Sequence, residues 1–233
     1  MNNFQNFKTY LFLSAKKFNI SVISKNGSKI YEKDLIINSN NNQLDLIKLD
    51  HFLNENVFKI EKILKEFIKD IYIILDCDNF FSVNISIKKN NYGEKMTQEN
   101  LIYIINEARD QCFETLAGKK LIHTLIDAYR VDNQKFQNLP IDIKCNFFSV
   151  DIRFMCLPHE YFKKFEVLVN KYHISIERLI SVKYLNNLFS DNDINYPEMA
   201  RKVIQGYNLN EVVFTKKNPE KTSFFEKFFH FFN

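Results

Sequence analysis

The chain has 233 residues, 45% of them hydrophobic, which is enough for one large or two small domains with a substantial core. Its formal net charge of +4 comes from Lys and acidic residues scattered along the chain, which argues against a basic block that binds nucleic acid. The early apolar run at residues 10–13 is too short for a signal-peptide core, so we expect a cytosolic chain.

The four cysteines form no CxxC pair and show no metal-like spacing with the five histidines. We therefore predict reduced packing residues and no metal site. The four glycines are also dispersed, without the Gly-rich loop that lets backbone N–H groups approach a phosphate, so no cofactor is predicted. The cysteines are Cys77, Cys112, Cys145 and Cys156.

Short β-prone runs make up the N-terminal part of the chain, at residues 8–13, 19–24 and 29–37. Asn26-Gly27 separates the last two runs, and Asn-Gly is the strongest short-range hairpin signal. Residues 1–42 are therefore predicted to form a small antiparallel meander.

Helical and strand patterns alternate over residues 43–189, which predicts an α+β domain. Apolar residues recur at helical spacing over residues 46–68 and 101–116, with Thr97 as the N-cap of the second helix. A third helix is predicted to begin at Pro158. The predicted strands cover residues 71–75, 81–87, 120–131, 147–155 and 174–182, with a turn at residues 76–79.

The periodicity fades over residues 190–222, apart from a possible short helix at 198–204 and an apolar patch at 212–214. We predict a flexible tether here. It leads to the last eleven residues, 223–233, which we call the Phe-rich tail.

The Phe-rich tail is predicted to be an amphipathic helix. Its six rings fall in one arc of roughly 160°, and Ser223 with Glu226 has the form of a capping box. The tail is too short to cross a bilayer, but it can lie in the interface; docking into a protein groove is the alternative. The predicted membrane-binding residues are Phe224, Phe225, Phe228, Phe229, Phe231, Phe232, Lys217, Lys221 and Lys227.

Residues 96–188 resemble the inserted subdomain of the bacterial cell-division protein FtsA, a membrane-attached actin-like protein, and of its relatives in pilus assembly. The order of signals carries this resemblance: a helix from Thr97, a strand over residues 120–132 with His123 near its start and Asp132 at its close, Pro140, a strand at 148–154, a helix, and a strand at 176–180 leading to residues 183–188. The hairpin and long helix before residue 70 resemble the start of the family's first subdomain.

Departures from the family are as informative as the matches. Where the family carries an Asp-x-Gly phosphate loop, residues 13–17 read Leu-Ser-Ala-Lys-Lys, and after Leu188 no nucleotide-binding core follows. A terminal amphipathic helix is a family feature that residues 223–233 match. The resemblance therefore implies a reduced, non-catalytic adaptor of cell division on the inner face of the membrane, with division proteins and copies of itself as partners.

Two other functions stay open. One is a pilus or secretion platform component of the same actin-like family. The other is an RNA-binding sheet protein that stacks bases on Phe147, Phe148 and Phe154, although it lacks the Gly-containing aromatic motif of RNA-recognition domains.

The sequence also contains candidate catalytic and cation-binding arrangements. His123 with Asp127, or Arg130 with Asp132, lie on the same side of a predicted strand and could supply a general base with an orienting group. Because no nucleophile, oxyanion donor or Gly-lined pocket is identifiable, we predict no enzyme. Asp76 and Asp78 are read as turn residues rather than as cation ligands.

Overall fold

A computed structural model describes residues 6–38, 43–189 and 195–213. The described residues form two sheets and six helices, an α+β fold as predicted. The strands are β1 (Phe7–Leu13), β2 (Lys17–Ser24), β3 (Lys29–Ile36), β4 (Asp70–Leu75), β5 (Phe81–Asn90), β6 (Lys119–Val131), β7 (Gln134–Phe136), β8 (Phe147–Pro158), β9 (Ser175–Ser181) and β10 (Glu211–Val212). The helices are α1 (Leu46–Leu64), α2 (Gln98–Gln111), α3 (Phe113–Leu116), α4 (His159–Asn170), α5 (Val182–Leu188) and α6 (Tyr196–Ile204).

Sheet 1 has the strand order β3-β2-β1-β4-β9. The first three strands form the predicted antiparallel hairpins, with Gly27 in the left-handed region at φ 89°, and β4 and β9 run parallel to β1. Helices α1 and α4 cover one face, and α5 and α6 cover the other. Because both faces are covered, β1 and β4 are buried along nearly their whole length.

Sheet 2 has the order β10-β6-β8-β5, and β7 pairs with β6. Helix α2 packs its apolar side against one face, which forms a second core with residues such as Val150, Ile152 and Phe154. Thr97 begins α2 with a capping box, as predicted for the N-cap, and Asn100 supplies its other half. Polar and apolar residues alternate on β5, so this sheet turns its other face to solvent there.

The chain order shows that sheet 2 is inserted into sheet 1. After β4 the chain crosses over residues 76–80 to β5, and after β8 it returns through α4 to β9, which pairs with β4. The predicted boundary between residues 1–42 and 43–189 therefore separates strands of the same sheet. Residues 159–188 were expected in the insert, but they pack with sheet 1. Strand β9 pairs in parallel with β4, which buries its apolar side chains, and α4 and α5 cover the two faces of this sheet.

Two other predicted boundaries change. The helix at 46–68 ends earlier, at Leu64, because Lys65 adopts a left-handed conformation at φ 55°. The short helix indicated at 198–204 is confirmed as α6, but a tether is the wrong description of residues 195–213, which form α6 and β10. Asn195 caps α6, and Met199 and Val203 are buried in a third core against sheet 1.

The four cysteines are free thiols, and three of them, Cys112, Cys145 and Cys156, lie in the core beneath α2. Burial raises the pKa of Cys156 to about 11. These residues therefore pack as small apolar groups.

Candidate functional site: a buried polar network at the base of the C-terminal segment

The predicted membrane-binding residues all lie outside the described part of the chain: Phe224, Phe225, Phe228, Phe229, Phe231, Phe232, Lys217, Lys221 and Lys227. The described structure stops at Val213, directly after β10. The residues that hold β10 therefore fix the point from which the chain continues toward the Phe-rich tail. No helix within the described ranges is long and apolar enough to span a bilayer.

His123, on β6, lies at the centre of a buried network. Its Nδ1 atom is 2.7 Å from Oε1 of Glu211, on β10, and its Nε2 atom accepts the Ser181 N–H at 3.1 Å. His123 and Glu211 are only 1% and 5% exposed. Because Nε2 accepts a hydrogen bond, the proton is on Nδ1, and a neutral imidazole donates to the carboxylate.

Glu211 also binds groups from the elements at the end of sheet 1. Arg178, on β9, forms an ion pair with Oε1, and the Tyr184 hydroxyl, on α5, donates to Oε2 at 2.8 Å. Asn208 Nδ2 in turn donates to the Tyr184 oxygen at 2.9 Å. The buried carboxylate therefore has a donor on each oxygen and an adjacent cation, which offsets its desolvation. We call His123, Arg178, Ser181, Tyr184 and Glu211 the junction network.

The pKa values of the two central groups follow from this environment. Burial lowers the pKa of His123, although the Glu211 carboxylate acts to raise it. Burial acts to raise the pKa of Glu211, but the hydrogen bond from His123 and the charges around it, including Arg178, leave that pKa below its usual value. The network therefore holds an ionised Glu211 beside a neutral His123.

Ser181, His123 and Glu211 are the residue types of a Ser-His-acid triad, but the geometry differs from one. The His123 Nε2 atom is bonded to the backbone of Ser181, and Ser181 Oγ is buried with no hydrogen-bond partner among the described residues. A triad needs the hydroxyl on Nε2 and a path for substrate. Both side chains are instead enclosed, and in this arrangement they join sheet 1 to sheet 2.

The two catalytic pairs suggested by the sequence are not brought together in the structure. Four residues along a strand span about 13 Å, so His123 and Asp127 cannot touch even on one side of β6. Asp127 is the extra residue of a bulge between Ile126 and Ala128 and pairs with Arg153 at 2.5 Å.

Arg130 likewise binds a different partner, Asp151, at 2.6 Å. Asp132 accepts hydrogen bonds from the N–H groups of Asn146 and Phe147, at 3.0 Å each from Oδ1. It therefore ties the end of β6 to the start of β8 instead of acting with Arg130.

The other sequence candidates occupy structural positions. Phe148 and Phe154 lie in the core beneath α2, so these rings are not available to stack bases. In the β1–β2 turn, the Lys16 and Lys17 N–H groups donate to Ser14 Oγ, at 3.3 and 2.9 Å, and are thus occupied within the turn. Burial and the neighbouring Asp78 raise the pKa of Asp76.

Sequence reasoning identified His123 but missed its main partner. Glu211 is 88 positions away and falls in the stretch read as a tether. The available signal was a carboxylate directly before the apolar patch at residues 212–214, a pattern that also occurs on solvated surfaces.

No family model matches this chain, and no curated protein matches it. Weak structural likenesses exist. The cytoplasmic domain of EpsL, an inner membrane component of the type II secretion system of Vibrio cholerae, matches 75% of this chain at 6% identity, with a TM-score of 0.38. The PilM–PilN type IV pilus biogenesis complex matches 78% at 7% identity, with a TM-score of 0.42.

A Bacteroides thetaiotaomicron protein with an actin-like ATPase fold and unknown function matches 81% of the chain at 13% identity, with a TM-score of 0.33. The chain covers 57%, 49% and 58% of the lengths of these three structures. Likenesses this weak do not establish the predicted resemblance to FtsA, which stays a prediction.

Proposed function

We propose that the chain is a non-catalytic adaptor of bacterial cell division, a reduced relative of FtsA that the Phe-rich tail holds on the inner face of the cell membrane. The insertion of one sheet-and-helix unit into another sheet supports this, because it is the organisation that the FtsA resemblance implies. The described α+β body makes protein contacts, and the tail supplies the membrane contact.

The observation that carries the proposal is the position of Glu211. The junction network fixes this residue, and the sequence reaches the first residue of the tail twelve positions later. The membrane anchor is thus joined to a rigid point on the body. A short link of this kind keeps the body close to the surface to which the tail binds.

The energy of such an anchor suits reversible binding. Full burial of one Phe contributes roughly 1.5–3 kcal/mol, so six partly inserted rings supply several kcal/mol after the helix is ordered. Each Lys near an anionic leaflet adds about 1 kcal/mol, and Glu220 and Glu226 offset part of that contribution.

Co-sedimentation of the full chain with vesicles that contain anionic lipid tests the anchor. Phe228→Glu with Phe229→Glu should reduce the bound fraction roughly tenfold or more, because two rings of the apolar face are replaced by charges. The matched control is Phe58→Glu with Phe113→Glu, which makes the same change at body residues that are 72% and 74% exposed. The control should bind as the unmodified chain does. Equal binding by the tail variant would contradict the proposal.

The place of action can be tested in cells. A fluorescently tagged full chain should concentrate at midcell if the chain serves division. Accumulation at poles or in scattered membrane patches would favour the alternative, a pilus or secretion platform component.

A further inference from the structure

The outer edge of β5 is a long, regular strand edge. All ten residues of β5 pair with β8 on one side without a register shift, and the strand order of sheet 2 ends at β5 in the described part of the chain. Native proteins usually protect such an edge with a bulge, a Pro or charged side chains. β5 has none of these over residues 81–87, and its lysines, Lys88 and Lys89, come only near its end.

The apolar face of sheet 2 continues to this edge without full cover. Phe81, Val83 and Ile85 face the core beneath α2 but remain partly exposed, whereas Ile87 is buried. Tyr103 of α2 lies on the same side, because Lys89 Nζ is 5.2 Å from its ring centre, and this tyrosine is 62% exposed. An apolar strip therefore runs beside a row of backbone groups that lack strand partners among the described residues.

We propose that a second copy of this chain pairs its β5 antiparallel to this edge across a two-fold axis. The strand is self-complementary in this arrangement. A two-fold axis perpendicular to the sheet keeps both copies of α2 on one face, so the residues opposed across it must point to the same face. Because side chains alternate along a strand, the axis must then lie between one residue and the same residue of the other copy.

An axis at Asn84 gives the longest register in which no lysine is paired. It opposes Phe81 to Ile87 and Val83 to Ile85 on the α2 side, and small polar residues to one another on the other side. An axis at residue 85 or 86 would instead place lysines of one copy opposite apolar or polar residues in β5 of the other copy. Like charges are never opposed at Asn84, and the apolar strip of each copy covers that of the other.

This interface goes beyond the proposed function and does not depend on it. Where both hold, a dimer presents two Phe-rich tails to one membrane, so a second weak anchor binds from a high effective concentration. The dimer itself is built only from the body.

Sedimentation velocity of the full chain over a wide concentration range tests the dimer. The unmodified chain should form dimers. Asn84→Lys and Asn84→Asp should each weaken association by roughly fivefold, because each opposes a charge to its own copy across the axis. Asn84 is exposed on the solvent side of β5, so either change leaves the monomer core intact.

An equimolar mixture of the two variants should regain the affinity of the unmodified chain, because Lys then faces Asp at the axis. The dimer should also persist with Phe228→Glu and Phe229→Glu in the tail, which separates it from tail-driven association. A monomeric unmodified chain, full dimerisation of both single variants, or no recovery in the mixture would overturn the proposal.

Discussion

The two sheets differ in how much of each is covered. Sheet 1 has helices on both faces, and its strands β1 and β4 are buried almost throughout. Sheet 2 packs one face on α2, while the other face carries exposed polar residues and ion pairs. The outer edge of β5 has no strand partner in the described part of the chain. The difference makes sheet 1 the enclosed part of the described body, whereas one face of sheet 2 lies open to solvent.

The sheets meet at the junction network, which is also the point where the C-terminal segment joins the body. His123 comes from sheet 2, Arg178 and Ser181 come from the end of sheet 1, and Glu211 from β10 binds both sides. A single substitution should therefore lower stability most at the junction network, less inside sheet 1, and least on the solvent-facing side of sheet 2.

The largest effect should come from Glu211→Ala. Removing this carboxylate leaves Arg178 and the His123 N–H without their buried partner, which should lower the free energy of unfolding by about 3–5 kcal/mol. Urea unfolding measures this loss of stability. Glu177→Ala, an exposed change on β9, is the matched control and should cost less than about 0.5 kcal/mol. Similar losses in both would contradict a special role for Glu211.

The contrast between the sheets can be measured by making the same substitution, Ile to Ala, once in each sheet. Ile73→Ala, on β4, removes a fully buried side chain and should cost about 3 kcal/mol, within the usual range for a core cavity. Ile85→Ala, on the partly exposed edge strand β5, should cost less than about half of that amount. Equal losses in urea unfolding would mean that the two sheets are equally well covered.

Stability should also fall as the pH falls, through His123. Burial holds the pKa of His123 in the folded chain below the usual value of about 6.5. At a pH between these two pKa values, the unfolded chain therefore binds a proton that the folded chain does not. The contribution is complete above about pH 6.5 and is lost below it, by up to about 1.4 kcal/mol per pH unit.

Urea midpoints measured between about pH 7.5 and about pH 5.5 should show this slope, above the range in which Glu211 titrates. His123→Gln should flatten the slope, whatever its effect on stability at neutral pH. An unchanged slope in that variant would show that another group is responsible.

The smallest effect is expected on the open face of sheet 2. Asp127→Asn breaks the ion pair with Arg153. The side chains of Asp127 and Arg153 are 42% and 34% exposed, so the change should lower the free energy of unfolding by less than about 1 kcal/mol. A loss above about 2 kcal/mol in urea unfolding would show that this face is not simply solvated.

The sequence predicted most elements because their signals are local. The Asn26-Gly27 turn and the Thr97 cap both act within a few residues, and the structure places a hairpin and a helix start there. Which sheet a strand joins is not local information. The strands β4 and β5 are neighbours in the chain but lie in different sheets. The pattern of apolar residues in a strand indicates which side chains are buried, but it does not identify the partner strand.

The site was predictable only in part for the same reason. The sequence singles out His123, but its contact with Glu211 depends on tertiary structure across 88 positions. Helix α6 has nine residues, too short for a sustained periodic pattern, and so the stretch around it read as a tether.

Membrane contact by the Phe-rich tail is the central claim, and the absence of Trp from the chain allows a direct measurement. Phe228→Trp introduces a single indole into the tail, and Phe113→Trp places one on an exposed body position as a control. With anionic vesicles, emission from the tail indole should shift to shorter wavelength and be quenched by lipids with brominated acyl chains, while the Phe113→Trp protein should show neither change. Unchanged emission from the Phe228→Trp protein on adding vesicles would contradict membrane attachment through this tail.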